Sequence, residues 1–185
     1  LLLSGLSRTN ISHSEVENAV RASLDELHLL LDARGPGTTT LVDALGNLRY
    51  RLGPRLSAIG VETRWEFDVA AESLVLSAAA TLNVLRIVQE CISNAVRHGQ
   101  ARLVTLSVTS SALDQADAHG ANIPSFDIRV IDDGVGIGNA SVATRGGGHG
   151  IENIKARATA LDATFTLTSR ESGTIALLRM KQSQL

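Results

Sequence analysis

Apolar residues recur at helical spacing in four stretches of the chain. These stretches predict helices over Ser14–Arg34, Leu41–Leu56, Leu82–Gln100 and Ile151–Leu161. The first helix begins with the capping-box pattern of Ser14 and Glu17. In the second, Pro54 is expected to kink or end the helix, because proline has no N–H to donate and its ring clashes with the preceding turn.

Other stretches alternate between apolar and polar residues or are rich in β-branched residues, which is typical of strands. They predict strands over Val61–Val69, Leu103–Thr109, Phe126–Asp132, Thr164–Thr168 and Thr174–Met180. Two pairs of successive strands favour antiparallel hairpins over a regular strand and helix alternation. We therefore predict an α+β fold, a two-layer α/β sandwich whose mixed sheet carries helices on one face.

The composition excludes several classes of protein. A chain of 185 residues with 44% apolar residues can bury a real core. The 17 basic and 19 acidic residues give a net charge of -2, so no broad basic surface is expected for a nucleic-acid backbone. The single Cys91 excludes an internal disulfide and a cysteine-clustered zinc site. No apolar run approaches the roughly 20 residues that span a bilayer.

A polar stripe follows one face of the predicted helix Leu82–Gln100. At about 100° per residue, Glu90, Asn94 and Arg97 fall within about 60° of one another, opposite an apolar face. An ordinary solvated surface is one interpretation. The other is a site, because a carboxylate, a carboxamide and a guanidinium can together hold a metal ion beside a polyphosphate.

Two acidic residues and two glycines end the predicted strand Phe126–Asp132, in the run Asp132-Asp133-Gly134-Val135-Gly136. One interpretation is a tight turn at the strand end, because Asp-Gly is common in turns. Alternatively, a carboxylate at the end of an apolar strand can accept a hydrogen bond from an exocyclic amine such as that of adenine. The glycines would then let the backbone lie close to the ring.

A glycine run, Gly146-Gly147-Gly148-His149-Gly150, stands directly before the helix expected to begin near Ile151. Unpaired N–H groups and the helix dipole attract anions at such a position, which favours phosphate binding. A flexible linker is the alternative. The run is not a Walker loop, because no Gly-Lys-Ser/Thr follows it.

Together and in this order, the three segments closely resemble the N, G1 and G2 boxes of the GHKL superfamily. This superfamily has the Bergerat fold and includes the ATPase domains of histidine kinases, gyrase, Hsp90 and MutL. Residues Gln89–His98 and Gly147–Ile151 look like the versions found in sensor histidine kinases of the NarL/DesK type. The resemblance covers about Leu41 to Met180, and Ser14–Arg34 resembles the second helix of a dimerisation and phosphotransfer hairpin. It implies a hairpin remnant over 1–37 and a catalytic ATP-binding domain over 38–185.

The resemblance implies a role for each site residue. Asn94 would coordinate Mg²⁺, and Glu90 would lie near the metal or polarise the group that attacks the γ-phosphate. Arg97 would neutralise phosphate charge, and His98 would line the same pocket. Asp132 would bind the adenine amine. The remaining nucleotide contacts would come from Gly134, Gly136, Gly148, His149, Gly150 and Thr174.

The implied reaction transfers the γ-phosphate of Mg-ATP to a histidine, for relay to an aspartate of a cognate response regulator. None of His13, His28 and His119 stands in the context of the group's phosphoacceptor, so the acceptor is expected upstream of Leu1. The chain alone is then not expected to autophosphorylate. Asp133 is expected to be a bystander.

The resemblance also implies a cytoplasmic homodimer formed through the hairpin, with any membrane contact made by segments outside this chain. No nucleic-acid partner is expected. Two alternatives stay open: an anti-sigma-type serine kinase, and a degenerate nucleotide-binding module that only regulates.

Overall fold

The structure is a computed structural model that describes residues 27, 29–31, 40–111, 125–136 and 149–181. Residues 27 and 29–31 are helical. The elements that follow are α1 (Leu41–Ala58), β1 (Glu62–Phe67), α2 (Val69–Glu72), α3 (Ala78–Arg97), β2 (Leu103–Ser111), β3 (Ser125–Asp132), α4 (His149–Ala160), β4 (Thr164–Ser169) and β5 (Thr174–Lys181). Most of the predicted first helix and of the glycine-rich loop lies outside the described residues.

The strands form one mixed sheet in the order β1-β2-β3-β5-β4. β1 pairs with β2 in parallel, and every other neighbouring pair is antiparallel. The register runs through Trp65, Leu106, Val130 and Ala176, which lie side by side across four strands. The predicted α+β fold with a mixed sheet is therefore confirmed.

The helices cover the face of the sheet to which alternate strand residues point. On β2 these residues are Val104, Leu106 and Val108, each at most 2% exposed. They share one hydrophobic cluster with the buried side chains of α1, α3 and α4. α3 packs against α1 and α4, while α1 contacts β1 and α4 contacts β4. Burial of this apolar surface holds the two layers together.

α1 begins at a reciprocal cap and passes through Pro54. The hydroxyl of Thr40 accepts from the N–H of Asp43 at 3.1 Å, and the Asp43 carboxylate accepts from the Thr40 N–H at 3.2 Å. Pro54 lies inside the helix and does not end it. Pro54 cannot donate to the carbonyl oxygen of Tyr50, and Tyr50 is 83% exposed, so water can reach this residue. Burial of Leu56 stabilises the last turn.

Several element boundaries differ from the sequence prediction, and a helix cap explains two of them. α3 begins at Ala78 rather than near Leu82, because the Ser77 hydroxyl caps it by accepting from the N–H of Ala80 at 3.2 Å. Val69 was predicted to continue a strand. Instead it starts the short α2 and is 83% exposed, because Asp68 caps the turn through the N–H of Ala71 at 2.7 Å.

The opposite face of the sheet carries a buried ion cluster. Asp127 on β3 has a side chain that is 0% exposed and lies beside Arg179 on β5, whose Nε donates to it at 2.7 Å. Arg129 donates to the same carboxylate and, at 2.9 Å, to the hydroxyl of Thr109 on β2. These hydrogen bonds hold the pKa of Asp127 below its ordinary value, although burial opposes this. The cluster joins three strands.

The described helical residues before α1 depart from the predicted apolar stripe. Leu29 is 3% exposed and belongs to the core. Leu27 and Leu31, whose helical spacing contributes to the prediction of the helix Ser14–Arg34, are instead 56% and 68% exposed. Among the described residues, no helix combines the length and the apolar character needed to cross a membrane.

Candidate functional site

The predicted polar stripe of α3 lies against the start of α4. Glu90 and Asn94 are one helical turn apart and half-buried, while Val88 and Ile92 on the other face are buried. A Cβ on Gly150 would overlap Oε1 of Glu90 and would lie 3.8 Å from Nδ2 of Asn94. The structure thus brings together residues that are 56 positions or more apart in sequence.

The C-terminal end of α3 carries two further predicted residues. Arg97 is exposed in the last turn. His98 is half-buried and caps the helix, with its N–H donating to the Asn94 carbonyl at 2.9 Å. Their proposed contacts with phosphate stay predictions.

A second group of predicted residues surrounds Asp132 at the end of β3. Its carboxylate accepts from the N–H of Gly134 at 2.9 Å and from the N–H and hydroxyl of Thr174 on β5. Asp132 is 9% exposed. Burial raises the pKa of this carboxyl, and repulsion from Asp133 adds to the rise, whereas the hydrogen bonds from Gly134 and Thr174 oppose it. Asp132, Gly134 and Thr174 therefore form one unit.

The two groups meet at Gly99, directly after α3. A Cβ on Gly134 would overlap the Gly99 carbonyl oxygen, and the N–H of Val135 donates to that oxygen at 2.9 Å. Only a glycine at position 134 permits this approach. The end of α3 and the turn after Asp132 are consequently one continuous surface.

The β4–β5 turn closes the other side of this surface. Gly136 has a φ of 73°, and a Cβ there would lie 2.7 Å from Oγ of Ser169 and 2.9 Å from the Arg170 carbonyl oxygen. Gly173 has a φ of 96°, and its missing side chain leaves room for the Asp132 carbonyl. Both glycines adopt backbone conformations that side chains disfavour.

The predicted phosphate-binding run is described only at its end. Gly148 lies outside the described residues, and of His149 the structure describes the backbone alone. α4 starts at His149, two residues earlier than predicted, so Gly150 belongs to its first turn. The free N–H groups of a helix start here beside Glu90 and Asn94, an arrangement suited to an anion.

The residues present fit a magnesium ion that accompanies a polyphosphate. No cluster of three His, Cys, Asp or Glu side chains that could hold a metal occurs within the described ranges. Mg²⁺ commonly takes only one or two protein ligands and completes its shell with phosphate oxygens and water. The carboxamide of Asn94 and the carboxylate of Glu90 would supply such ligands, and the backbone of Gly150 lies directly against the Glu90 carboxylate.

Two residues of the site escaped the sequence analysis. Gly99 lies near the end of the predicted helix Leu82–Gln100, and because glycine often marks the end of a helix, that signal could have drawn attention to it. Asp133 was expected to be a bystander. That expectation stays a prediction for nucleotide binding, and the carboxylate accepts from the N–H groups of Arg102 and Leu103 at 2.8 and 2.9 Å. These partners are about 30 positions away in sequence, so local pattern could not reveal them.

A known protein family matches more than half of the chain. The sequence profile of the family described as histidine kinase-, DNA gyrase B-, and HSP90-like ATPase matches residues 80–184. This range contains every predicted site residue from Glu90 to Thr174. No curated protein matches the chain.

Several solved structures share the fold. The histidine kinase domain from the Erythrobacter litoralis EL346 blue-light activated histidine kinase is 17% identical, with a TM-score of 0.63 over 92% of this chain and 82% of that one. Acinetobacter baumannii histidine kinase AdeS is 15% identical, with a TM-score of 0.60 over 91% of this chain and 80% of that one. Full-length ShkA in complex with AMPPNP is 18% identical, with a TM-score of 0.57 over 95% of this chain and 40% of that one.

Proposed function

Because the chain belongs to the histidine kinase-, DNA gyrase B-, and HSP90-like ATPase family, we propose that it is the catalytic domain of a two-component sensor histidine kinase. The domain binds Mg-ATP and transfers the γ-phosphate to a histidine on a helix upstream of Leu1. The phosphoryl group then passes to an aspartate of a response regulator. The motifs of α3 and α4 favour the NarL/DesK type, in which the parent protein is a cytoplasmic homodimer joined through its helical hairpin.

The observation that carries this proposal is the continuity of the site. Asp132 and Thr174 are joined to the α3 stripe through the contact between Gly134 and Gly99, and the stripe reaches Gly150. A base at one end and a polyphosphate at the other would therefore lie along one surface.

The base end recognises adenine through Asp132. The carboxylate is nearly buried, and its hydrogen bonds with Gly134 and Thr174 fix its orientation. An exocyclic amine donates to it, whereas the carbonyl oxygen that replaces this amine in inosine or guanine repels it. This contact makes the site selective for adenine.

The phosphate end combines the start of α4 with the polar stripe. Backbone N–H groups near Gly150 would bind phosphate oxygens, and the carboxamide of Asn94 would hold Mg²⁺. The ion supplies charge neutralisation and fixes the phosphate chain. Arg97 lies in the last turn of α3 and adds positive charge, and His98 follows it at the helix end.

The transfer breaks the bond between the γ-phosphorus and its bridging oxygen as a bond to an imidazole nitrogen forms. ADP leaves with the bridging oxygen. Glu90 accepts a hydrogen bond from the incoming imidazole and so orients the attacking nitrogen. Positioning and charge stabilisation supply most of the catalysis in such a reaction.

Calorimetric titration of the full chain with ATP, with and without Mg²⁺, tests the proposal. We expect binding that Asp132→Ala abolishes and whose Mg²⁺ dependence Asn94→Ala removes. A hairpin that carries an acceptor histidine, added in trans with labelled ATP, should then become phosphorylated. Absence of ATP binding by the folded chain would refute the proposal, and binding without transfer would favour a regulatory module.

A further inference from the structure

Asp133 ties the end of β3 to the start of β2. Its Oδ1 accepts from the N–H of Arg102 at 2.8 Å and from the N–H of Leu103 at 2.9 Å. In return, the N–H of Asp133 donates to the Leu103 carbonyl at 3.3 Å. The regular pairing of these strands ends at Val104 and Asp132, so the three bonds extend it by one residue.

The turn after Asp133 is fixed from the other side by the same connection. Arg102 and Gly99 both belong to the short link between α3 and β2, and Gly99 contacts Gly134 and accepts from Val135. The chain is therefore held immediately before and after Gly134. This geometry directs the N–H of Gly134 toward Oδ1 of Asp132 at 2.9 Å.

We propose that Asp133 is a positioning residue for adenine recognition, which acts by fixing the turn that orients the carboxylate of Asp132. The inference rests on the proposed function. Asp133 itself is exposed, and its side chain is committed to the backbone of β2, so it does not contact the nucleotide. If its hydrogen bonds are lost, Gly134 moves and the Asp132 carboxylate loses a donor that orients it.

Substitution by asparagine separates the hydrogen bonds of Asp133 from its charge. The bonds from Arg102 and Leu103 both end on one oxygen atom, and the amide oxygen of asparagine can accept the same two bonds. Asp133→Asn therefore keeps both hydrogen bonds, while Asp133→Ala removes them. Asp133→Ser keeps a shorter acceptor and gives an intermediate case should the alanine variant fail to fold.

A matched control exists at the other end of the same strand. The carboxylate of Asp68 accepts from the N–H and hydroxyl of Ser110 at 2.5 and 3.0 Å, and from the N–H of Ala71 at 2.7 Å. Asp68 thus binds backbone at the end of β2, as Asp133 does at its start, and Ser110 lies roughly 25 Å along the strand from Arg102. Asp68→Ala should lower the melting temperature without a change in nucleotide affinity.

The test measures the affinity of the full-length variants for ATP and for inosine triphosphate by calorimetry, together with their melting temperatures. We expect Asp133→Ala to weaken ATP binding roughly tenfold and to leave inosine triphosphate binding unchanged, because only adenine donates to Asp132. Asp133→Ser should lie between Asp133→Ala and wild type, and Asp133→Asn should match wild type.

Equal losses for both nucleotides, an equal loss in Asp68→Ala, or an asparagine variant that behaves like alanine would each overturn the inference. The wild-type chain alone tests the proposed function. That function is refuted if the wild-type chain binds no ATP or does not prefer ATP to inosine triphosphate. In that event the positioning role fails with it.

Discussion

The first turn of α4 leaves no room for a side chain between Gly150 and the carboxylate of Glu90. The atom in the way is the far end of a flexible side chain, so Glu90 can rotate aside while both helices stay in place. A side chain at position 150 should therefore affect catalysis through Glu90 without affecting folding.

We therefore expect Gly150→Ala to fold normally and to lose activity. Alanine is a better helix former than glycine by about 1 kcal/mol, so stability should not fall. The displaced Glu90 should slow phosphoryl transfer to a hairpin in trans by roughly tenfold or more, with a smaller change in ATP affinity. Transfer at the wild-type rate would contradict the role given to Glu90.

Gly134→Ala should act differently, because the obstacle is a backbone atom. The new methyl group would overlap the Gly99 carbonyl oxygen, so the turn or the end of α3 must shift. We expect stability to fall by about 2 kcal/mol and ATP binding to weaken with it, as measured by denaturation and calorimetry.

Gly46→Ala is the matched control for Gly134→Ala. Gly46 lies in the middle of α1, and a Cβ there would meet no atom within 4 Å. This substitution should raise stability by about 1 kcal/mol and leave ATP affinity unchanged. Equal effects of the two substitutions would show that the contact between Gly99 and Gly134 is unimportant.

ATP affinity should depend on the protonation of Asp132. Burial raises the pKa of this carboxyl above its ordinary 3.8, and only the ionised form accepts a bond from the adenine amine. Affinity should therefore fall as the pH is lowered, with a midpoint above 3.8 while the domain is still folded. A titration with inosine triphosphate corrects for the phosphates, which both nucleotides share. A midpoint at or below 3.8 would contradict this account.

The raised pKa of Asp132 affects the stability of the fold in the opposite direction from ATP affinity. A carboxyl whose pKa is raised in the folded state stabilises the fold fully below its unfolded value, and this contribution is lost as the pH rises through the folded value. Ionised Asp132 is thus unfavourable for the folded domain at neutral pH, and bound adenine offsets that cost. Thermal melts with saturating ATP should show a larger gain at neutral than at acidic pH.

Asp127 should stabilise the fold at neutral pH and lose this effect in acid, which is the opposite of Asp132. Its pKa is lowered by Arg179 and Arg129, so its contribution is present above the unfolded value of 3.8 and is lost as the pH falls through the folded value. Asp127→Asn should reduce the free energy of unfolding by about 2 kcal/mol near neutral pH.

The difference between Asp127→Asn and wild type should shrink in acid, as measured by chemical denaturation across the pH range. Glu62→Gln is the control, because Glu62 and Arg64 form an exposed pair whose loss should change little. A difference in stability that does not vary with pH would show that the charge of Asp127 is not what stabilises the sheet.

Alternation and helical spacing were sufficient to predict most of the fold. The residues of β2 alternate because one face meets the helices, and the stripe from Leu41 to Leu56 recurs because one side of α1 is buried. Boundaries were less predictable. The Ser77 cap and the Asp68 cap each rest on a single side chain, and among the described residues other serines and aspartates, such as Ser93 inside α3 and Asp127 inside β3, cap no helix.

The sequence by itself determined which functional groups the proposed site can offer, because the carboxylates of Glu90 and Asp132, the carboxamide of Asn94 and the backbone freedom of glycine come with the residue types. Only the tertiary structure decided which of them meet. The contact of Gly99 with Gly134 joins backbone atoms more than 30 positions apart, and the Asp133 carboxylate accepts from the N–H groups of Arg102 and Leu103, about 30 positions away. Such contacts leave no periodic trace in sequence, because they arise from the packing of whole elements rather than from local conformation.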